Sequence, residues 1–274
     1  DENLRARYEM RLGMFMMPVH PPDRSFWSTL EEDTEKSLLA DQLGFDEVWL
    51  GEHFSANTEP IPSAMMFFAN LVARTKNISF GTAVINIPNH NPVIVAAECA
   101  QFDHMSKGRF LMGVGPGGLV SDFELFKNPD VHARNRMVVE AVSMIQQIWS
   151  QDPPYDLKGE FWNISLKDGI DAKLGIGYMP KPYQKGGPPI AISLASPNSS
   201  SARTAAERGW GMISANLIPT YSVASHWKAY RQWFPFPGRS PLWRVGPPLL
   251  EDAPDAAEEA LLLFLLALIL RRLG

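Results

Sequence analysis

The chain has 274 residues, 45% of them hydrophobic and 20% charged, with a formal net charge of -5 and a pI near 5.7. This balance can fill a large core and excludes a disordered polypeptide. The absence of a basic stripe or Lys/Arg run argues against nucleic acid and favours a small, mostly apolar ligand.

The length suits one domain, residues 1–274, of the (β/α) barrel kind, which runs to roughly 250 residues. Cys99 is the only cysteine, so no intrachain disulfide forms, and in VAAECAQF it lies on the apolar side of a helix. A reducing, cytoplasmic setting is expected. The start, DENLRARYEMRLGMF, lacks an apolar signal region. Residues 260–270 are apolar throughout but too short for a bilayer core that needs about 20 residues, so no membrane anchor is expected.

In chain order, residues 11–17 are an apolar run stopped by Pro18, a buried strand. Residues 29–43 have the spacing of an amphipathic helix, with Gly44 placed to end it. Residues 45–50 form a second strand that delivers Glu52, His53 and Phe54 to its C-terminal end. Residues 63–74 are a second helix and 78–87 a third strand. Asn91 as N-cap and Pro92 at the first helical position open a helix to about Met105. A fourth strand at 109–114 and a strongly periodic helix at 135–150 follow.

Residues 152–189 then break the alternation with Pro, Gly and aromatic residues, an insertion that reads as a lid or binding loop. Strand 190–194, helix 199–208, strand 211–215 and helix 220–233 resume it. Strand-helix alternation with apolar strands implies a parallel sheet covered by helices, most simply closed into a barrel. Residues 243–249 are a candidate seventh strand before an acidic helix from Pro254, and no eighth strand is readable. The low complexity of ALLLFLLALILRRLG points to a truncated, frame-altered or arbitrarily assigned C-terminus, which leaves residues 234–274 uncertain.

His53, two residues past a strand end, reads either as a hydrogen-bonded structural residue or as an acid/base group at a barrel rim. Gly81, Thr82, Ala83 and Val84 either leave room for a flat ligand or fill the taper of the interior. The GVGPGG stretch, with Gly113, Gly115, Gly117 and Gly118, lacks the spacing of a dinucleotide fingerprint. Asn198, Ser199, Ser200 and Ser201 begin a helix and read either as a phosphate site or as plain capping. No metal-ligand spacing or nucleophile motif stands out, so the site looks built to hold a cofactor that performs redox chemistry.

WLGEHF, FGTAVINIPNHNPVIVAAECAQFDHMSKGRF, YQKGGPPIAIS and AAERGWGMIS, in this order, resemble the bacterial luciferase-like flavin monooxygenase family over residues 11–233. The resemblance implies a TIM (β/α)8 barrel with an insertion after the fourth βα unit. It implies reduced FMN (FMNH2) as cofactor, O2 as co-substrate and a C4a-(hydro)peroxyflavin that oxygenates an apolar ketone, aldehyde or terpenoid. A separate NAD(P)H:flavin reductase and a homodimer go with it. A coenzyme F420-dependent oxidoreductase of the same fold, and a non-catalytic flavin-binding protein on a shortened barrel, are the alternatives.

By position, His53 matches the histidine beside the flavin. Ala83 and Val84 match a non-prolyl cis peptide beneath the ring, and Asn198, Ser199, Ser200 and Ser201 match the phosphate-binding segment. Gly115 falls where the luciferase α subunit has a reactive cysteine, and Pro116 where it has an arginine, so Gly115 is expected to leave space beside the flavin. Phe54, Phe67 and Trp162 are candidates to cover it. Phe15, Met16, Met17 and Met65 are either a soft substrate pocket or ordinary core.

Overall fold

The computed structural model describes residues 11–215, 218–234 and the pair 244–245. The chain divides into two compact units, Asp1–Ser193 and Leu194–Gly274. Both alternate strands with helices, the repeat of the (β/α) class expected from the sequence.

In the first unit, β1 (Gly13–Met16), β2 (Glu47–Leu50), β3 (Ser79–Thr82) and β5 (Phe110–Gly115) lie side by side in that order, all parallel. The short β4 (Ile85–Asn86) pairs with the far end of β5, and β8 (Ile190–Leu194) pairs with β5 through Met112↔Ile190, Gly113↔Ala191 and Val114↔Ile192. Every residue of β2 and β5 is buried. That is why Val48–Leu50 and the whole of β5 read as apolar runs, for a parallel strand is covered on both faces, and the buried Glu47 that opens β2 is paired with Arg11 and the Trp49 indole.

The sequence predicts a single strand over residues 78–87, whereas the ladder is interrupted at Ala83–Val84. Beyond Gly81↔Leu111 the Thr82 hydroxyl takes over from the backbone, donating to the Gly113 carbonyl and accepting its N–H, both at 2.8 Å. β4 then realigns on β5 at Ile85↔Val114, and a 3-10 turn, Ile87–Asn89, closes the segment.

The helices start and stop where their caps dictate. α1 (Phe26–Leu43) begins three residues before the predicted start, because Ser25 caps it, and ends at Gly44 in a left-handed conformation (φ 81°). α2 (Ala64–Val72) is capped by Ser63. α3 (Pro92–Ser106) has the predicted Asn91 cap, whose side chain accepts the Val93 N–H at 2.9 Å. A helix of six residues, α4 (Val120–Leu125), follows β5 with no side-chain cap, which explains its weak sequence signal. α5 (Val131–Ser150) starts four residues earlier than its periodicity suggests, where Asp130 accepts the His132 and Ala133 amides. Between the helices and the strands, Phe68, Phe80, Phe102 and Phe110 form one cluster, with ring centroids 5.1–6.4 Å apart.

The 152–189 insertion has regular structure after all, an antiparallel hairpin of β6 (Tyr155–Lys158) and β7 (Asn163–Leu166). Glu140 of α5 accepts the backbone amides of Glu160, Phe161 and Trp162 at 2.7–2.9 Å, pinning the hairpin tip. Asp103 of α3 pins the far end of the insertion, accepting the Gln184 amide and side-chain N–H groups, each at 2.8 Å.

In the second unit, β9 (Gly211–Ser214) pairs in parallel with β10 (Arg244–Val245), two residues within the predicted seventh strand. α6 (Ser200–Arg208) buries Ala202, Ala205 and Ala206, and α7 (Thr220–Trp233) buries Val223, His226, Trp227 and Tyr230. The rest of the predicted seventh strand, the acidic helix from Pro254 and the low-complexity tail lie outside the described residues.

Asp41 at the end of α1 accepts the amides of Lys76, Asn77 and Ile78 at 2.8–2.9 Å and so fixes the entry into β3. Burial pushes its pKa up, but those three hydrogen bonds and the charge of Arg109 hold it below the ordinary value. A depressed carboxylate stabilises the fold above its unfolded pKa of about 3.9, and that contribution disappears as pH falls through the lower folded value. Asp41→Ala is therefore expected to lower stability by about 2–3 kcal/mol at neutral pH. Urea unfolding should show the gap from wild type closing below about pH 4.

Candidate active site

Parallel strands bring their C-terminal ends to one rim, where loops are free to carry ligand-binding groups. Residues 51–55 leave β2 at this rim. Glu52 turns inward and is 5% exposed. Its Oε1 accepts the Asn86 N–H at 2.7 Å and meets His90 Nε2 at 2.8 Å, while its carbonyl accepts the Asn86 side-chain N–H at 2.9 Å.

His53 is turned the other way and is partly exposed. Its Nδ1 lies 2.8 Å from Glu59 Oε2, and its backbone N–H donates to the Ile61 carbonyl at 3.2 Å. A carboxylate can only accept, so Nδ1 carries the hydrogen and Nε2 is left to exchange protons. The hydrogen bond to Glu59 raises the His53 pKa above its ordinary value. Burial opposes this, and the charges of Glu59, Asp122 and Glu52 reinforce it.

Asp122, buried in the first turn of α4, accepts the Phe54 N–H at 3.2 Å and a hydrogen bond from the Ser55 hydroxyl. The loop around His53 is thus held by Glu52, Glu59 and Asp122 from three directions. Phe54 rests against His90 and Phe126, with centroids at 5.7 and 4.9 Å.

Ala83 and Val84 lie beside this loop. Their peptide is cis, and the Ala83 N–H donates to the Leu50 carbonyl at 2.7 Å. Gly51 is close enough that a Cβ there would come within 3.0 Å of the Ala83 carbonyl oxygen. Gly115 does not leave the expected space. A Cβ at this position would overlap Ser193 Oγ and lie 2.6 Å from Val84 Cγ2, so those side chains already fill the place of a larger residue. The room at Gly81 is likewise taken, by the Trp49 indole.

His53, Ala83, Val84 and Gly115 therefore belong to the first unit, while Asn198, Ser199, Ser200 and Ser201 belong to the second. There Ser199 Oγ caps α6 by accepting the Ser201 N–H at 3.3 Å, and Asn198, at φ 53°, donates its N–H to Ser225 Oγ at 2.9 Å. His226, fully buried, donates from Nε2 to the Ser196 carbonyl at 2.7 Å and meets Ser214 Oγ at 3.0 Å through Nδ1. It is a structural histidine that ties the start of this segment to the end of β9.

The pocket and cover candidates separate in the structure. Phe15 in β1 and Met17 just after it are each 37% exposed, whereas Met16 between them is buried against the Ser37 hydroxyl. Met65 Sδ lies 3.8 Å from Cys99 Sγ. Phe67 packs on Phe68 in the core, while Trp162 sits at the pinned hairpin tip beside Phe161.

Sequence reasoning missed Glu59, Asn86, His90, Asp122 and Ser193 as members of this cluster. His90 had a local signal, being a polar residue placed just after a strand, and Asn86 is a polar residue ending β4. Asp122 had none, since its partners are 67 and 68 residues away.

A family model described as luciferase-like monooxygenase matches residues 10–270. The chain is 33% identical over 183 residues to 4-hydroxyprotoasukamycin monooxygenase of Streptomyces nodosus subsp. asukaensis, covering 67% of this chain and 47% of that protein. It is 28% identical over 192 residues to the oxygenase component of the flavin-dependent trigonelline monooxygenase of Acinetobacter baylyi, covering 69% and 50%. The chain thus spans about half the length of these curated relatives. Among solved structures, the oxygenating constituent of 3,6-diketocamphane monooxygenase of Pseudomonas putida, in complex with FMN, has the same fold, with a TM-score of 0.75 at 24% identity over 84% of this chain and 64% of that one.

Two measurements test this geometry. The His53 imidazole should titrate above pH 6.5 by NMR, and Glu59→Gln should lower its midpoint, because the variant keeps a hydrogen-bond acceptor but removes the charge. Gly115→Ala should destabilise the protein by about 1–3 kcal/mol through the clash with Ser193 and Val84, and adding Ser193→Ala should recover part of that loss in urea unfolding.

Proposed function

The chain belongs to the luciferase-like monooxygenase family, and from this premise we propose that it uses reduced FMN and O2 to oxygenate an apolar ketone, aldehyde or terpenoid. The observation that carries the reading is the His53–Glu59 pair on the loop after β2, whose first residue, Gly51, lies against the Ala83 carbonyl of the cis Ala83–Val84 peptide. An imidazole with one nitrogen held by a carboxylate and the other free suits proton transfer near neutral pH.

The residues present fit a flavin. Nothing larger than valine stands at 83 or 84, and both residues are partly exposed, whereas Gly115 lies buried under Ser193 and Val84. The start of α6 offers the amides of Ser199 and Ser200, with the helix dipole behind them, to a phosphate. Reduced FMN, when bound, supplies the two electrons that let one atom of O2 enter the substrate while the other leaves as water.

The chain's own part is to hold and to exclude. His53 Nε2 moves the proton, and Phe54 with Trp162 keeps water from the reacting atoms. Phe15 and Met17, both partly exposed, give an apolar wall suited to a terpenoid or aliphatic substrate. The name of the Acinetobacter relative, an oxygenase component, supports delivery of the reduced flavin by a separate NAD(P)H:flavin reductase. A homodimer acting in the cytoplasm completes this reading. Among the described residues no helix is long and apolar enough to cross a membrane.

The full chain, loaded anaerobically with photoreduced FMN and mixed with 18O2 and a panel of cyclic ketones, aldehydes and terpenes, is expected to give a product carrying one labelled oxygen. His53→Ala should lower that turnover by about 10²-fold or more. Unlabelled or absent product across the panel, or tighter binding of F420 than of FMN, would overturn the reading.

A further inference from the structure

Glu52 and His90 stand next to the proposed base without touching the groups it would act on. The Glu52 carboxylate is 5% exposed, a location where an ionised group needs both a charge partner and hydrogen bonds. It has both, in His90 Nε2 at 2.8 Å and the Asn86 amide at 2.7 Å. The same residue is held through its carbonyl by the Asn86 side chain at 2.9 Å. Since His53 follows directly in the chain, these bonds fix where its backbone begins relative to β4.

The pair is not sealed in the core. Glu52 and His90 line a small crevice, of about 20 Å³, with Ser63, Thr82 and the exposed Glu98. Phe54, the residue after His53, lies against the His90 ring. Both neighbours of His53 in sequence are thereby in contact with His90, one through a hydrogen bond and one through a ring.

We propose that Glu52 and His90 are positioning residues for His53, the carboxylate–imidazole pair holding residues 52–54 against β4 so that the His53 ring keeps one orientation at the rim. This rests on the reading of His53 as the proton-handling group. The pair holds the backbone of the loop, whereas Glu59 bonds the ring itself. Because the Glu52 charge also reaches the ring, His90→Gln, which leaves Glu52 in place, is the variant that reads the positioning role.

Glu52→Gln keeps an acceptor for the Asn86 amide, and His90→Gln keeps an N–H for Glu52, so neither change strips the buried site of hydrogen bonds. Each is made in the full chain, alone and combined with His53→Ala. The expected result is a displaced His53 imidazole titration in both single variants by NMR, with thermal unfolding still cooperative. Turnover should fall about 10–100-fold, as for a misplaced catalytic group. In the His53→Ala background neither substitution should change the residual rate more than about twofold, because residues acting as one unit are non-additive.

An unchanged His53 titration in His90→Gln would overturn the proposal, as would rate losses that persist in full without His53. If His53→Ala alone leaves turnover untouched, the role given to His53 fails. The NMR titration still decides whether Glu52 and His90 position its ring.

Discussion

A carboxylate buried at the end of a parallel strand must be satisfied, and at Glu52 the means of satisfying it arrange the rim. Removing an ionised group from water costs several kcal/mol unless charge and hydrogen bonds replace the solvent. Here the replacements come from Asn86 and His90, which lie beyond the interruption of the third strand. The realignment of β4 onto β5 after Ala83–Val84 and the course of the His53 loop are thus joined in one hydrogen-bonded knot. His90 remains protonated more readily than an ordinary histidine. Burial works against its charge, but the Glu52 hydrogen bond and the charges of Glu52 and Glu98 outweigh it.

The same device recurs wherever an irregular segment meets the scaffold of the first unit. Asp41 receives the turn into β3, Asp103 the end of the insertion, Glu140 the hairpin tip, and Asp122 the loop after His53. In each case an acceptor on a helix gathers backbone amides that no ladder satisfies. Asp41 and Asp103 act at the N-terminal ends of β3 and β5, whereas Asp122 fixes the loop that carries His53 at the rim. The hairpin at 155–166 is better described as a pinned wall than as a lid.

Much of the fold is legible in the sequence, because parallel strands buried on both faces leave apolar runs and the helices between them carry recognisable caps such as Asn91–Pro92 and Gly44. His53 is legible too, by its place just beyond a strand. What is not legible depends on distance along the chain. The pairing of Asp122 with the Phe54 amide, or of Ser193 with Gly115, leaves no local trace. Gly115 is the instructive case, for position alone suggests a vacancy where the fold places Val84 and Ser193. Gly81 teaches the same lesson with Trp49, since a small residue marks close approach without saying what approaches.

The account turns on the rim of the first unit receiving the flavin ring. Titration of the 15N-labelled chain with FMN, followed through backbone amide resonances, tests this most directly. Shifts that saturate together at Gly51, His53, Ala83, Val84 and Gly115, with α5 unaffected, are the predicted result. Saturable FMN binding that leaves all five amides in place would contradict it.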